Sequence, residues 1–112
     1  MADVLRRFAQ PSWRWSHFPA GEHRDVRTAA KLKAMGVQRG WPDFLLLAPA
    51  SQDRPGGLLH ALECKRRGET LSEAQDGFRA WAEAQGVAHA VVDDARDAIA
   101  VLSRWGALRI KA

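Results

Sequence analysis

Gly40-Trp41-Pro42-Asp43-Phe44-Leu45-Leu46-Leu47-Ala48, a loop over residues 49–57, and Leu58-Leu59-His60-Ala61-Leu62-Glu63-Cys64-Lys65 decide how this chain folds. Two short apolar segments joined by a loop containing Pro55-Gly56-Gly57 predict an antiparallel hairpin with a long connection. Charge enters only at particular ends: Asp43 opens the first strand, and Glu63 and Lys65 close the second. Side chains alternate along a strand, so Glu63 and Lys65 share one face while Cys64 points to the other. In a paired hairpin the start of the first strand lies beside the end of the second. Asp43 is therefore expected to meet Glu63 and Lys65 at one edge of the sheet.

Two carboxylates and an ammonium gathered there pack poorly but suit hydrolysis. Carboxylate oxygens match a hard divalent ion such as Mg2+ or Mn2+. Such an ion polarises a phosphoryl oxygen and acidifies a bound water. A neighbouring lysine orients that water or neutralises charge developing on the phosphate. The plainer reading is a surface ion pair at a strand end, contributing about 0–1 kcal/mol. The Pro42-Asp43 turn ahead of an apolar strand, upstream of Glu63, tips the balance towards chemistry.

The order Lys33-Ala34-Met35-Gly36-Val37, Gly40-Trp41-Pro42-Asp43, Leu62-Glu63-Cys64-Lys65 and Leu71-Ser72-Glu73-Ala74-Gln75 resembles the VRR-NUC (virus-type replication–repair nuclease) family. That family lies within the PD-(D/E)XK nuclease superfamily, and the likeness is to its stand-alone phage and bacterial members, over about His17 to Trp105. It implies a restriction-endonuclease-like α/β core and Mg2+- or Mn2+-dependent endonuclease activity on DNA, with homodimers acting on branched substrates such as four-way junctions. It also implies roles. Asp43, Glu63 and the Cys64 backbone carbonyl would hold the metal, Lys65 would position or activate water, and Gln75 would orient a group at the metal. His17 stands where relatives often have a histidine, either supporting the site from behind or merely packing. Relatives carry a glutamate early in a longer first helix, and no acid stands at that place here. Asp43 and Glu63 alone, another acid such as Glu22, or residues upstream of Met1 would have to serve. A DNA-binding domain that retains the acids without catalysis is the rival reading.

Composition sets the outer bounds. A chain of 112 residues forms one domain, spanning 1–112, with a single core. Its apolar fraction of 46% and charged fraction of 27% are ordinary for a soluble globular protein. No apolar run approaches the ~20 residues of a membrane span, and Met1 to Arg7 does not read as a secretory signal, so a cytoplasmic location is expected. One cysteine excludes an internal disulfide and a cysteine-based zinc site. Residues 1–42 hold eight Lys/Arg against three Asp/Glu, whereas residues 43–112 hold nine against ten. The basic portion thus leads into the site, where a polyanion gains from phosphate contacts and counterion release. Arg24, Arg27, Lys31, Lys33, Arg39, Gly40, Arg66 and Arg67 are the candidate DNA contacts. Gly40 permits a left-handed backbone or the close approach of a phosphate.

The remaining elements follow from periodicity. Val4 to Phe8 ends a short amphipathic helix before Pro11, and Trp13 to Phe18 alternates as a strand. Its tryptophans fit the core or a subunit interface better than a base-stacking surface. Asp25 caps a helix in which Val26, Ala29, Ala30, Leu32 and Met35 recur at helical spacing until Gly36. Ser72 and Gln75 form a capping box for a helix over residues 73–85 that buries Ala74, Phe78, Trp81 and Ala82. Gln75 could instead reach back to the site. Residues 87–92 predict a buried strand, and Asp93 or Asp94 caps a last helix with Ile99, Leu102 and Trp105 facing inward. The predicted fold is α/β, a small mixed sheet flanked by helices. Five tryptophans in so short a chain exceed what one core hides, which also favours a dimer.

Overall fold

The two apolar segments pair as expected at the centre of a four-stranded sheet in the computed structural model, which describes residues 1–18 and 25–110. Eight elements follow in order. They are α1 (Ala2–Phe8), β1 (Arg14–His17), α2 (Val26–Ala34), β2 (Phe44–Ala48), β3 (Leu58–Cys64), α3 (Glu73–Gln85), β4 (Ala88–Val92) and α4 (Ala95–Trp105). Strands run in the order β1-β2-β3-β4; the first two pairings are antiparallel and β3–β4 is parallel. The parallel pair exists because α3 crosses from the end of β3 back to the start of β4, as a βαβ unit requires. The fold is therefore mixed α/β, as the sequence predicted.

Register assigns the two faces. Trp15, Leu46 and His60 lie opposite one another, as do His17, Phe44 and Leu62. This face, with Val92 from β4, packs against Leu5 of α1 and Ala98, Val101 and Leu102 of α4. His60 sits between Trp13 and Trp105, each ring centroid 4.9 Å away, and burial holds its imidazole below the usual range. Trp13 and Trp15 thus belong to the core, as the alternation of β1 implied. The opposite face carries Leu45, Leu47, Leu59 and Glu63, and α3 covers part of it.

Local signals set the helix ends. Asp25 accepts from the Thr28 amide, and Asp94, rather than Asp93, accepts from the Asp97 amide. Ser72 and Gln75 form both halves of the capping box, and Gly86 and Gly106 close α3 and α4 in the left-handed region.

Two helices pack otherwise than predicted. The helix α2 buries no residue: Val26 is 86% and Met35 69% exposed, and only Leu32 is half-buried. It belongs to the excursion between β1 and β2 rather than to a layer on the sheet. On α3, Ala82 is buried and Phe78 half-buried as predicted, but Ala74 is exposed and Trp81 is 54% exposed. Gln75 occupies the inward stripe instead. Polar bonds at the start of α3, described below, hold Gln75 on that stripe. Among the described residues, no helix is long and apolar enough to cross a membrane.

Candidate active site

Asp43 immediately precedes β2 and Glu63 is the penultimate residue of β3. The Phe44–Leu62 pairing, extended by one residue, sets Asp43 across from Glu63 on the face opposite the core. Their carboxyl groups come within hydrogen-bonding reach of each other. The two acids converge as the hairpin implies, while among the described residues Lys65 forms no ion pair with either.

Each carboxyl group is held from behind. Asp43 Oδ2 accepts the Cys64 amide at 2.7 Å, a bond from the neighbouring strand that fixes its side chain across the strand ends. Glu63 Oε1 accepts Gln75 Nε2 at 3.1 Å, and the other end of the same carboxamide, Oε1, accepts the Ser72 amide at 2.8 Å. The two readings of Gln75 are therefore both realised at once. One side chain caps α3 and clamps the acid on β3.

Glu63 is 2% exposed. Burial, then its hydrogen bond to Asp43 and the charge of Asp43, push its carboxyl from 4.5 up to about 8, against a smaller opposing pull from Lys65. Lys65 follows β3 directly, half-buried, its backbone amide bonded to the Val92 carbonyl at 2.8 Å. The Cys64 side chain packs against the core, and burial, with the negative charge of Asp43 next, raises its thiol to about 11. A thiol so placed stays neutral and unreactive. A pocket of about 300 Å³ opens at the carboxyl ends of β3 and β4, between Lys65 and Arg66 on one side and Asp93 and Asp94 on the other.

His17 acts on the backbone. Its Nδ1–H donates to the Asp43 carbonyl at 2.9 Å, its ring lies 5.1 Å from that of Phe44, and the Phe18 amide donates to the same carbonyl at 2.7 Å. Asp43 is thus gripped at its carbonyl from β1 and at its carboxylate from β3.

Gly40 is buried with φ of 80°, and a Cβ there would lie 2.4 Å from the Ala74 carbonyl oxygen. The left-handed backbone predicted for it is present, but the close neighbour is the first turn of α3 rather than a phosphate. Gly40→Ala is expected to cost about 2–3 kcal/mol through positive-φ strain and displacement of that turn. Thermal unfolding measures this, and a Tm within 2 °C of the parent would contradict it.

The cations divide. Arg27, Lys31 and Lys33 project from α2, and Arg39 is exposed just before Gly40. Arg66 is almost fully exposed, 3.9 Å from Glu69, and Arg67 bridges Asp93 and Asp94 at 3.7 and 3.4 Å. Those bridges are at the surface and hold the guanidinium weakly. Arg24 and Glu22 lie outside the described residues. The sequence reading passed over Trp41, whose ring stands two residues from Asp43 against Phe78; only its position next to Pro42-Asp43 signalled it.

The donor set suits a hard cation. Among the described residues no lysine or arginine forms an ion pair with Asp43 or Glu63, and the proton held on Glu63 is what lets the two acids lie together; a divalent ion could take that proton's place. Among the described residues, no group of three or more His, Cys, Asp or Glu side chains is placed to hold a metal ion. Mg2+ is commonly held by one or two carboxylates together with waters and substrate phosphate, so two are enough. Compared with protein-family models, with curated proteins and with solved structures, the chain matches none.

Proposed function

We propose that this chain is a metal-dependent DNA endonuclease of the VRR-NUC type, hydrolysing phosphodiesters in the cytoplasm as a homodimer on branched DNA such as four-way junctions. One observation carries the reading: Asp43 and Glu63 converge, each oriented by its own hydrogen-bond donor, with Lys65 adjoining them. Asp43 and Glu63, with the Cys64 carbonyl, would hold Mg2+ or Mn2+, which when bound supplies a Lewis acid for the phosphoryl oxygen and acidifies water.

The chain's own groups do the rest. The Cys64 amide and the His17–Phe18 pair keep Asp43 in place at the mouth of the hairpin. Gln75 donates to Glu63 Oε1 and holds that carboxyl beside Asp43. Lys65 stands two residues beyond Glu63, just past the end of β3, where its ammonium can orient an attacking water or neutralise the developing phosphate charge. The basic approach from Arg27 to Arg39 favours a polyanion through counterion release.

The test is cleavage of linear duplex, single strand, flap and four-way junction in Mg2+, Mn2+ or EDTA. Cutting is expected with either metal, abolished by EDTA and by Asp43→Ala. No cutting of any substrate in either metal would overturn the proposal. One observation favours the second reading, a DNA-binding domain without catalysis: the two-carboxylate site lacks a third acid among the described residues. Junction binding identical in EDTA and Mn2+, with no nicking, would support it.

A further inference from the structure

Aromatic rings continue outward from Asp43. Phe18, whose amide grips the Asp43 carbonyl, has its ring centroid 6.2 Å from that of Trp41. Trp41 lies 5.4 Å from Phe78, and Phe78 lies 5.9 Å from Trp81. His89 of β4 stands 6.1 Å from Phe78. This row is anchored to the site at two points. Gly40 presses on Ala74, next to Gln75, and Phe78 follows Gln75 by about one helical turn. Trp41 is 39% and Trp81 54% exposed, and all three contacts along the row are tilted, with interplanar angles of 33° to 57°. No ring in the row is covered by another lying parallel on it, so indole surface remains open for a flat partner.

Core packing does not account for this placement. Trp13, Trp15 and Trp105 serve the core on the other face of the sheet, whereas Trp41 and Trp81 stay outside it. Charge beside the row is asymmetric. The chain entering Trp41 carries Arg27, Lys31, Lys33 and Arg39 with no acid after Asp25, whereas α3 carries Glu73, Asp76 and Glu83 against one cation, Arg79, which pairs with Glu83 at 3.2 Å. A ligand with flat apolar groups along one edge and negative charge along the other fits that arrangement.

We propose that Trp41 and Trp81, with Phe78 between them, form a stacking surface for unpaired bases of a DNA strand whose phosphates run on the Arg39 side. This rests on the proposed nuclease function for its ligand class and adds what that reading lacks, a preference for strands with unstacked bases next to the scissile phosphate. Aromatic surfaces take up successive bases with little sequence selectivity, because every base offers a π-face.

The test is binding without catalysis, so it stands apart from the outcome of the cleavage test. In EDTA, fluorescence anisotropy would compare a labelled oligodeoxythymidine with an abasic oligomer of equal length and charge. The unmodified protein is expected to bind the base-bearing oligomer about tenfold more tightly, with quenching of tryptophan fluorescence. Trp81→Ala and Trp41→Ala should each remove most of that ratio while affinity for the abasic oligomer stays unchanged. Arg39→Ala should weaken both oligomers alike. Equal affinity of the unmodified protein for the two oligomers would overturn the proposal. So would a Trp81→Ala variant, folded by circular dichroism, that keeps the full ratio. Light scattering adds a further outcome. Loss of a dimer in Trp81→Ala with the ratio retained assigns the row to a second copy of the chain instead.

Discussion

Replacing Lys65 with alanine is expected to lower the rate of metal-dependent cleavage by about 10²–10⁴-fold, the range for removing a positioned acid–base or charge-stabilising group. The side chain has no other visible task. Only its backbone amide takes part in the sheet, through the Val92 carbonyl, and that bond survives the substitution. The fold should therefore persist, and Kd for junction DNA measured in Ca2+ should change by less than about tenfold. A loss confined to turnover identifies a group acting mainly in the transition state. Equal loss of binding and rate would make Lys65 a phosphate contact only. Full activity in the variant would remove the proposed mechanism.

The second large effect concerns stability in the absence of metal. Glu63 holds its proton up to about pH 8 in the fold, whereas an exposed glutamate releases it near 4.5. The folded value is the higher one, so the associated stabilisation is complete below about pH 4.5 and lost as pH rises through 8. Between pH 7 and 8.5 the loss comes to about 1 kcal/mol, or about 5 °C in Tm for a chain of this size. The window isolates Glu63 from other groups. His60 and His89 are held below the usual imidazole range by burial, so their contribution falls away only on the acid side of 6.5. The Cys64 thiol, raised above 9, matters only at higher pH. Thermal melts in EDTA should therefore show Tm falling across this window, and Glu63→Gln, which cannot ionise, should flatten the curve. Saturating Mg2+ should reverse the slope, because metal binding favours the deprotonated acid. A flat profile in the unmodified protein would mean that the two acids do not share a buried site.

Much of this was legible in the sequence because its signals were local. The Pro55-Gly56-Gly57 loop between apolar runs gave the hairpin, and alternation along Leu62-Glu63-Cys64-Lys65 separated the acid and lysine from a cysteine that packs against the core. Ser72 and Gln75 announced the start of α3, and Gly86 its end. What escaped depended on contacts between distant segments. Periodicity gave α2 an apolar stripe, but none of its residues is buried and only Leu32 is half-buried, since the layers on the sheet come from other helices. The same pattern placed Trp81 inward on α3. A carboxamide bonded to Glu63 ranks as surface in any hydropathy pattern, yet it lies buried on the inward stripe while Trp81 lies outside it. For Gly40 the left-handed backbone was legible but its close neighbour was not, because the turn of α3 that crowds it stands more than thirty residues further along the chain.

The carboxamide of Gln75 also narrows what evolution or design can place there. Its nitrogen faces an acid and its oxygen faces a main-chain N–H, so the group has a polarity as well as a length. Glutamate would present a third negative charge to the pair, asparagine falls one methylene short, and lysine or methionine offers no acceptor for the helix start. Position 75 is thus expected to tolerate almost no exchange, on grounds of polarity and reach alone.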